Sequence, residues 1–163
     1  RGQPSELHGI QVGVGTVLCL RMYDRLRTLS PDRARAEAAM RAFDTENWKR
    51  EMRRVFGRAA QTLIDSETSV WRLNDPHGQA QRLERILSHW GEIQGIIAEE
   101  LPETDAIVRL MRSLGMPVTP AEIGENPQDV RDAFCYSRNI RDKYLTSSFL
   151  WDLGLTEDFI PEG

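Results

Sequence analysis

The sequence has few of the residues that mark specialised classes of protein. Only two of its 163 residues are cysteine, Cys19 and Cys135, and they lie far apart in helix-like contexts. Two isolated cysteines do not form a disulfide framework, so we expect a chain from the reducing cytoplasm. No apolar run has the length of a bilayer span and no signal peptide is recognisable, so we expect no membrane span.

An excess of charge of one sign is also lacking. The net charge is -4, and arginines alternate with acids, as in residues 32–37. A protein that binds nucleic acid needs a concentrated basic face, so nucleic acid is not an expected partner. With 40% hydrophobic and 28% charged residues, the composition is typical of a soluble globular protein, and we expect one helical domain over residues 1–163.

Strand signals are missing, and apolar residues recur at helical spacing nearly throughout the chain. The fold class predicted is all-α, a multi-helix bundle of roughly seven to nine helices. The first helix, with Ser5 as its N-cap, is apolar on most faces, so we expect it to be buried. The predicted helices cover residues 6–28, 31–43, 45–54, 58–67, 78–100 (with Gly91 as a candidate point of division), 104–114 and 126–144, with shorter turns at 119–122 and 149–153.

Glycines punctuate the first predicted helix at Gly9, Gly13 and Gly15. Each costs about 1 kcal/mol relative to alanine, and a helix accepts that cost where another backbone, a metal or a ligand comes close. Gly9 and Gly13 are four residues apart, so they share a face on which another helix would pack. The pattern does not match a dinucleotide-binding motif, because the third glycine of that motif and a preceding strand are missing.

His8 stands at the start of this helix, where a neutral imidazole is able to bind a divalent metal. An isolated histidine near a helix start is more often a surface or packing residue, since a metal needs three or more protein ligands. His77, in a Pro-His-Gly break, is expected to be exposed, and His89, beside Trp90 on an amphipathic helix, is expected to be structural. No catalytic triad and no phosphate-binding glycine loop is recognisable, so no catalytic residue is predicted.

The segment 136–144 is polar and cationic, and two interpretations stay open. Its arginines and lysine are natural partners of a phosphate group. The favoured interpretation is a charged helix face on which Arg138 and Asp142 form an i, i+4 pair.

Residues 7–16, LHGIQVGVGT, resemble the His-Gly helix of the superfamily that contains iron-containing alcohol dehydrogenases, glycerol dehydrogenases and dehydroquinate synthases. The segments 90–93, 114–124, 140–144 and 150–154 resemble, in the same order, the glycerol-1-phosphate dehydrogenase branch. The resemblance spans essentially the whole chain. It implies a helical domain like the C-terminal domain of the dehydroquinate synthase-like fold.

The resemblance also implies a reaction and a set of partners. Members of the family bind NAD(P) on an N-terminal α/β domain and hold zinc, nickel or iron through an Asp and two His of the helical domain, and His8 matches the last of these ligands. The implied reaction is reversible hydride transfer between NAD(P)H and dihydroxyacetone phosphate, in which the metal polarises the carbonyl. The substrate is therefore a small phosphorylated ketone or polyol.

In members of the family the NAD(P)-binding domain and the other two ligands lie upstream of the region that matches this chain. We therefore expect a fragment that binds neither metal nor NAD(P) tightly, does not turn over substrate alone, and self-associates as a homo-oligomer. Two alternatives stay open. One is a non-catalytic helical interaction module that binds a protein partner, or itself, through the glycine face of the first helix. The other is a related polyol dehydrogenase or dehydroquinate synthase-like enzyme.

Overall fold

The structure, a computed structural model, describes residues 8–161, whose regular secondary structure is helical with no strand among them. The predicted all-α, multi-helix class is confirmed. None of the helices described has the length and apolar character needed to cross a membrane. The α-helices are α1 His8–Thr28, α2 Arg33–Arg41, α3 Thr45–Phe56, α4 Ala60–Ser66, α5 Pro76–Ser88, α6 Trp90–Glu100, α7 Thr104–Ser113, α8 Pro127–Tyr136 and α9 Thr146–Asp152.

The chain divides into two compact units. The described part of the first unit comprises residues 8–30, 90–130 and 161, and that of the second comprises residues 31–89 and 131–160. Each unit has an apolar core of its own. The expectation of one domain over residues 1–163 stays a prediction.

The first unit is built around α1, which packs on α6 and α7. Its core cluster joins Val17, Met111 and Val118. A β-carbon built on Gly13 would lie 2.9 Å from Cε of Met111, so this glycine does mark a close approach, as predicted. A β-carbon built on Gly9 would meet none of the described residues within 4 Å, so the prediction that Gly9 shares this packing face is wrong.

The burial of α1 is one-sided. Val14, Val17, Leu20, Met22 and Leu26 are buried, whereas Val12 is 51% exposed and Cys19 is also exposed. The prediction that this helix is buried on most of its faces is therefore wrong. The predicted N-cap, Ser5, lies outside the described residues.

The C-terminal end of α1 is held by side chains of α6. Nε2 of Gln94 donates to the carbonyl oxygens of Leu26, Arg27 and Leu29 at 2.8–3.1 Å, and Nε1 of Trp90 donates to the carbonyl of Leu29 at 3.1 Å. The last carbonyls of a helix have no partner within the helix, so these amide and indole donors stabilise its end.

The core of the second unit lies between α3 and α4. Its buried members are Trp48, Met52, Ala60 and Ile64, with Phe43, Phe56, Leu63 and Tyr136 packed against them. Gly154 has φ 68°, and a β-carbon there would lie 3.0 Å from Cβ of Ala39 and 3.2 Å from the carbonyl oxygen of Arg35. The turn after α9 therefore requires glycine on two grounds, backbone conformation and space.

Several predicted boundaries differ from the structure, and three of the differences have a visible local cause or change the site. The cap of α2 is Asp32, whose carboxylate accepts from the backbone N–H of Arg35, so Pro31 is not its first helical residue. The stretch 78–100 divides at His89 rather than at Gly91. Helix α8 ends at Tyr136, well before the predicted end near Tyr144.

Candidate functional site

His8, the predicted metal ligand, is exposed and is the first residue of α1. His77 and His89 belong to the second unit. Both are exposed, and His77 contacts Gln81 while His89 contacts the Arg85 carbonyl. Over residues 8–161 no group of three or more His, Cys, Asp or Glu side chains is placed to hold a metal ion. One imidazole is not enough to hold a metal ion, so His8 does not form a metal site with the other described residues.

The cationic segment that follows α8 does not form a charged helix face. It is a 3-10 turn, Ser137–Asn139, followed by bends, and Arg138 is only 4% exposed. The interpretation of Arg138 and Asp142 as an exposed i, i+4 pair is therefore wrong. NH2 of Arg138 donates to Oδ1 of Asn74 at 2.8 Å, and the guanidinium lies 4.2 Å from the centre of the Trp151 ring.

Burial of Arg138 lowers its pKa to about 10, although the nearby Glu67 and Asp152 carboxylates favour its charged form. A buried guanidinium retains its charge when carboxylates and an aromatic face compensate for the lost water. The phosphate-binding interpretation of this segment keeps only its exposed cations, Arg141 and Lys143.

Two carboxylic acids of the second unit, Glu67 and Asp152, are almost completely buried. Glu67 is 1% exposed and begins a single π-helical turn, Glu67–Trp71, that ends at Arg72 in the left-handed region with φ 52°. A π turn and a non-glycine residue at positive φ are both enriched at functional sites. Oε1 of Glu67 accepts from the backbone N–H of Asn74 at 2.6 Å. Burial raises the pKa of Glu67, and the Asn74 N–H opposes that effect.

Asp152, fully buried on α9, is the centre of a second polar group. Arg82 on α5 donates to both of its oxygens, from Nε at 2.7 Å and from NH2 at 2.9 Å. The hydroxyl of Tyr144 donates to Oδ2 at 2.7 Å. The residue is 48% exposed, but desolvation of the hydroxyl together with the adjacent Asp152 carboxylate raises the pKa of this tyrosine. Arg82 also donates to the carbonyl of Leu73 at 2.7 Å, so the group ties α5, α9 and the loop before α5 together.

A pocket of about 220 Å³ opens beside Glu67 in the second unit. Its wall combines aromatic rings, hydroxyls, an amide and charged groups, contributed by Phe43, Thr45, Trp48, Glu67, Thr68, Arg72, Asn74 and Asp75. Within this wall Arg72 is paired with Asp75 at 3.2 Å, and that carboxylate also caps α5 by accepting from Gly78 N–H at 2.9 Å. The charges of Arg72 and Asp75 therefore compensate each other.

Two polar atoms in this wall are buried and have no hydrogen-bond partner among the described residues: Oε2 of Glu67 and Nδ2 of Asn74. Sequence reasoning missed both residues, because it placed Glu67 at the end of an ordinary helix and Asn74 in a break. The signal available was the Asn-Asp-Pro sequence of residues 74–76, which marks a turn but does not show which side chain lies against it.

No family model, curated protein or solved structure matches the chain.

Proposed function

We propose that this chain is the helical metal- and substrate-binding half of an NAD(P)-linked dehydrogenase that resembles glycerol-1-phosphate dehydrogenase, and that His8 is one of the ligands of its metal. The observation that carries the proposal is the position of His8 in its helix. An exposed imidazole lies in the first described turn of α1, and Gly13, five residues on, is in close contact with Met111 of α7. This close packing of a glycine in the helix that carries His8 supports the proposal.

The described residues supply one ligand and no cluster of three, so the proposal assigns the remaining ligands to residues upstream of His8. It follows that the chain alone binds a divalent metal weakly, since one imidazole gives a small part of the affinity of a three-ligand site. The substrate proposed is dihydroxyacetone phosphate, and the cofactor proposed is NADH or NADPH, with zinc, nickel or iron as the metal.

The decisive experiment joins the chain to the NAD(P)-binding half of a glycerol-1-phosphate dehydrogenase. The fusion is expected to oxidise NADH or NADPH when dihydroxyacetone phosphate and a divalent metal are supplied. Mutation of a group that only orients a metal ligand lowers metal affinity or activity by about 10–100-fold. Loss of the ligand itself should have a larger effect, so His8→Ala is expected to lower the rate by more than about 100-fold. His89→Ala, which removes another exposed histidine, is the matched control and is expected to keep the rate.

Two results would overturn the proposal. The first is oxidation of NADH with dihydroxyacetone phosphate by the 163-residue chain alone. The second is a titration in which the chain binds zinc tightly, one to one, and keeps that affinity in His8→Ala.

A helical interaction module is the second candidate, and exposed apolar side chains of the first unit favour it. Leu110 is 57% exposed and Leu114 is 68% exposed, and their spacing of four places them on one side of the end of α7. The occupant proposed is a second copy of the chain. Sedimentation of the wild type should then show a dimer that Leu114→Glu dissociates, and a monomer at high concentration would exclude this candidate.

A further inference from the structure

Residues 140–144 of the second unit, which we call the strap, have few contacts that hold them in place. They follow the 3-10 turn Ser137–Asn139 and precede α9, and all five are exposed, including the apolar Ile140 at 49% and the aromatic Tyr144 at 48%. No hydrogen bond or ion pair links residues 141–143 to the rest of the described chain. Segments with few buried contacts and with solvent-exposed backbone groups are those that open most readily in a folded protein.

The chain on each side of the strap is anchored. Before the strap, Arg138 and Asn139 are buried, and after it Ser147 and Ser148 are buried. The N-terminal end of α9 is also capped, because Oγ of Ser148 accepts from the backbone N–H of Leu145 at 3.3 Å. An opening that begins in the strap therefore ends at these anchors, and the remainder of the second unit keeps its structure.

One side-chain hydrogen bond holds the strap against the unit. The hydroxyl of Tyr144 donates to Oδ2 of Asp152 at 2.7 Å, and no other side chain of the strap bonds to a described residue. Asp152 also accepts from Nε and NH2 of Arg82. The carboxylate keeps this cationic partner when Tyr144 leaves, so opening costs one hydrogen bond and does not leave a buried charge alone.

We propose that residues 140–144 form a strap that opens independently of the rest of the second unit and is held closed by the hydrogen bond from Tyr144 to Asp152. In the closed state the Tyr144 hydroxyl covers the buried carboxylate. In the open state this side of the Asp152–Arg82 pair meets solvent, and the strap presents Arg141 and Lys143 on an extended chain. The strap is independent of the function proposed for His8.

Trypsin measures the opening, because it cleaves after arginine and lysine and binds its substrate as an extended chain. When a segment opens and closes faster than it is cleaved, the cleavage rate follows the population of the open state. Brief digestion of the full 163-residue chain is expected to cut first after Arg141 or Lys143, as mass spectrometry of the fragments shows. An opening confined to the strap exposes little surface, so the rate should hardly change with urea below the unfolding transition.

Tyr144→Phe removes the hydroxyl and keeps the ring. A hydrogen bond to a charged acceptor changes an equilibrium constant by about tenfold or more, so cleavage of the strap should become about tenfold faster. Tyr136→Phe is the matched control, because no hydrogen bond joins the hydroxyl of Tyr136 to a described residue. This variant should be cleaved at the rate of the wild type.

Ile64→Val separates the opening of the strap from the unfolding of the whole unit. Ile64 is 3% exposed in the core cluster with Trp48 and Met52, so loss of a methylene group should lower the urea concentration at which the protein unfolds. The rate of strap cleavage should stay that of the wild type, since a local opening leaves this core intact. Circular dichroism verifies that each variant is folded.

Three results would each overturn the proposal. The first is a native protein that trypsin cuts elsewhere in residues 8–161 before it cuts the strap. The second is equal cleavage rates for Tyr144→Phe and Tyr136→Phe, which would show that the bond to Asp152 does not hold the strap. The third is cleavage of Ile64→Val that accelerates in proportion to its loss of stability, which would show that the strap is cut only when the unit unfolds.

Discussion

The two units bury different kinds of side chain. In the described part of the first unit, Thr104 is the only polar or charged residue that is buried. The second unit buries seven such residues: Glu67, Gln79, Arg138, Asn139, Ser147, Ser148 and Asp152. The first unit is therefore stabilised mainly by apolar packing and by hydrogen bonds near its surface. The second depends also on a polar network of buried groups, in which Asp152 accepts from Arg82 and Tyr144 and Asn74 accepts from Arg138. Such a network is costly when any member loses its partner, and it is also where a ligand is recognised by hydrogen bonds.

The largest expected effect comes from breaking the polar network at Asp152. Asp152→Ala removes the carboxylate that accepts two hydrogen bonds from Arg82 and one from Tyr144. Removing one partner of a buried ion pair lowers the free energy of unfolding by about 3–5 kcal/mol, because the other charge stays buried without a partner. Arg82 is partly exposed, so we expect a loss near the lower figure, about 3 kcal/mol. Urea unfolding monitored by circular dichroism measures it.

The control for that prediction is an ion pair of the same unit at the surface. Arg33 and Glu84 are paired at 2.7 Å, but their side chains are 50% and 63% exposed. Glu84→Ala is expected to cost about 0.2–1 kcal/mol, because exposed pairs contribute little. If Asp152→Ala and Glu84→Ala lost the same free energy of unfolding, the buried polar network would contribute no more to stability than an exposed ion pair.

The first unit should respond most to a loss of apolar volume. Val17 is fully buried in the cluster with Met111 and Val118, and Val17→Ala removes two methyl groups and leaves a cavity. At about 0.8 kcal/mol for each buried group, with a further cost for the cavity, we expect a loss of about 2 kcal/mol. Val12→Ala makes the same change on the exposed side of α1 and should cost less than about 0.5 kcal/mol. A thermal or urea melt in which both variants behave alike would contradict the assigned core.

Local signals predicted the parts of the fold that depend on neighbours in sequence. Gly57, Gly115, Gly124 and Gly154 end helices or turns at positive φ, as glycines after helical patterns predict. The turn predicted at residues 119–122 is present as a 3-10 turn, Ala121–Ile123, and the backbone N–H of Glu122 donates to the Thr119 hydroxyl at 3.4 Å. Such features were predictable because each is decided within about four residues.

The buried polar network was not predictable from the sequence, because its partners are distant. Arg138 bonds Asn74, and Arg82 bonds Asp152, across separations of 64 and 70 residues. A charged residue is placed on a solvated face by default, since charges are almost never buried without a partner. That rule is wrong for Arg138, whose partner no local pattern reveals. The pocket beside Glu67 depends on the same contacts, so it too was missed.

Unlike the destabilising variants above, replacement of a glycine in α1 by alanine is expected to stabilise the protein, by a smaller amount. A β-carbon built on Gly15 would meet none of the described residues within 4 Å, so Gly15→Ala should stabilise the helix by about 0.5–1 kcal/mol through lower backbone entropy in the unfolded chain. At Gly13 the new β-carbon would meet Cε of Met111 at 2.9 Å. Gly13→Ala should therefore gain less than Gly15→Ala, as measured by the shift of the melting temperature. An equal gain would show that the contact with Met111 has no cost.

The smallest expected effect concerns pH and Glu122 of the first unit. Its Oε2 accepts from the N–H groups of Val118 and Thr119, and its Oε1 pairs with Arg112, which lowers the pKa of Glu122 to about 2. A carboxyl with a lowered pKa stabilises the folded state above its unfolded pKa of about 4.3, and this contribution is lost as the pH falls towards the folded value. The stability difference between the wild type and Glu122→Gln should therefore shrink on acidification.

The Glu67 carboxyl of the second unit should behave in the opposite way. Burial raises its pKa, so protonation favours the folded state, and its ionisation lowers the free energy of unfolding as the pH rises through the folded pKa. Relative to the wild type, Glu67→Gln should therefore gain stability with rising pH, whereas Glu122→Gln loses it. Urea unfolding of both variants at a series of pH values measures the two slopes. If the stability differences of both variants from the wild type changed with pH in the same direction, the contrast between the exposed, hydrogen-bonded Glu122 and the buried Glu67 would be wrong.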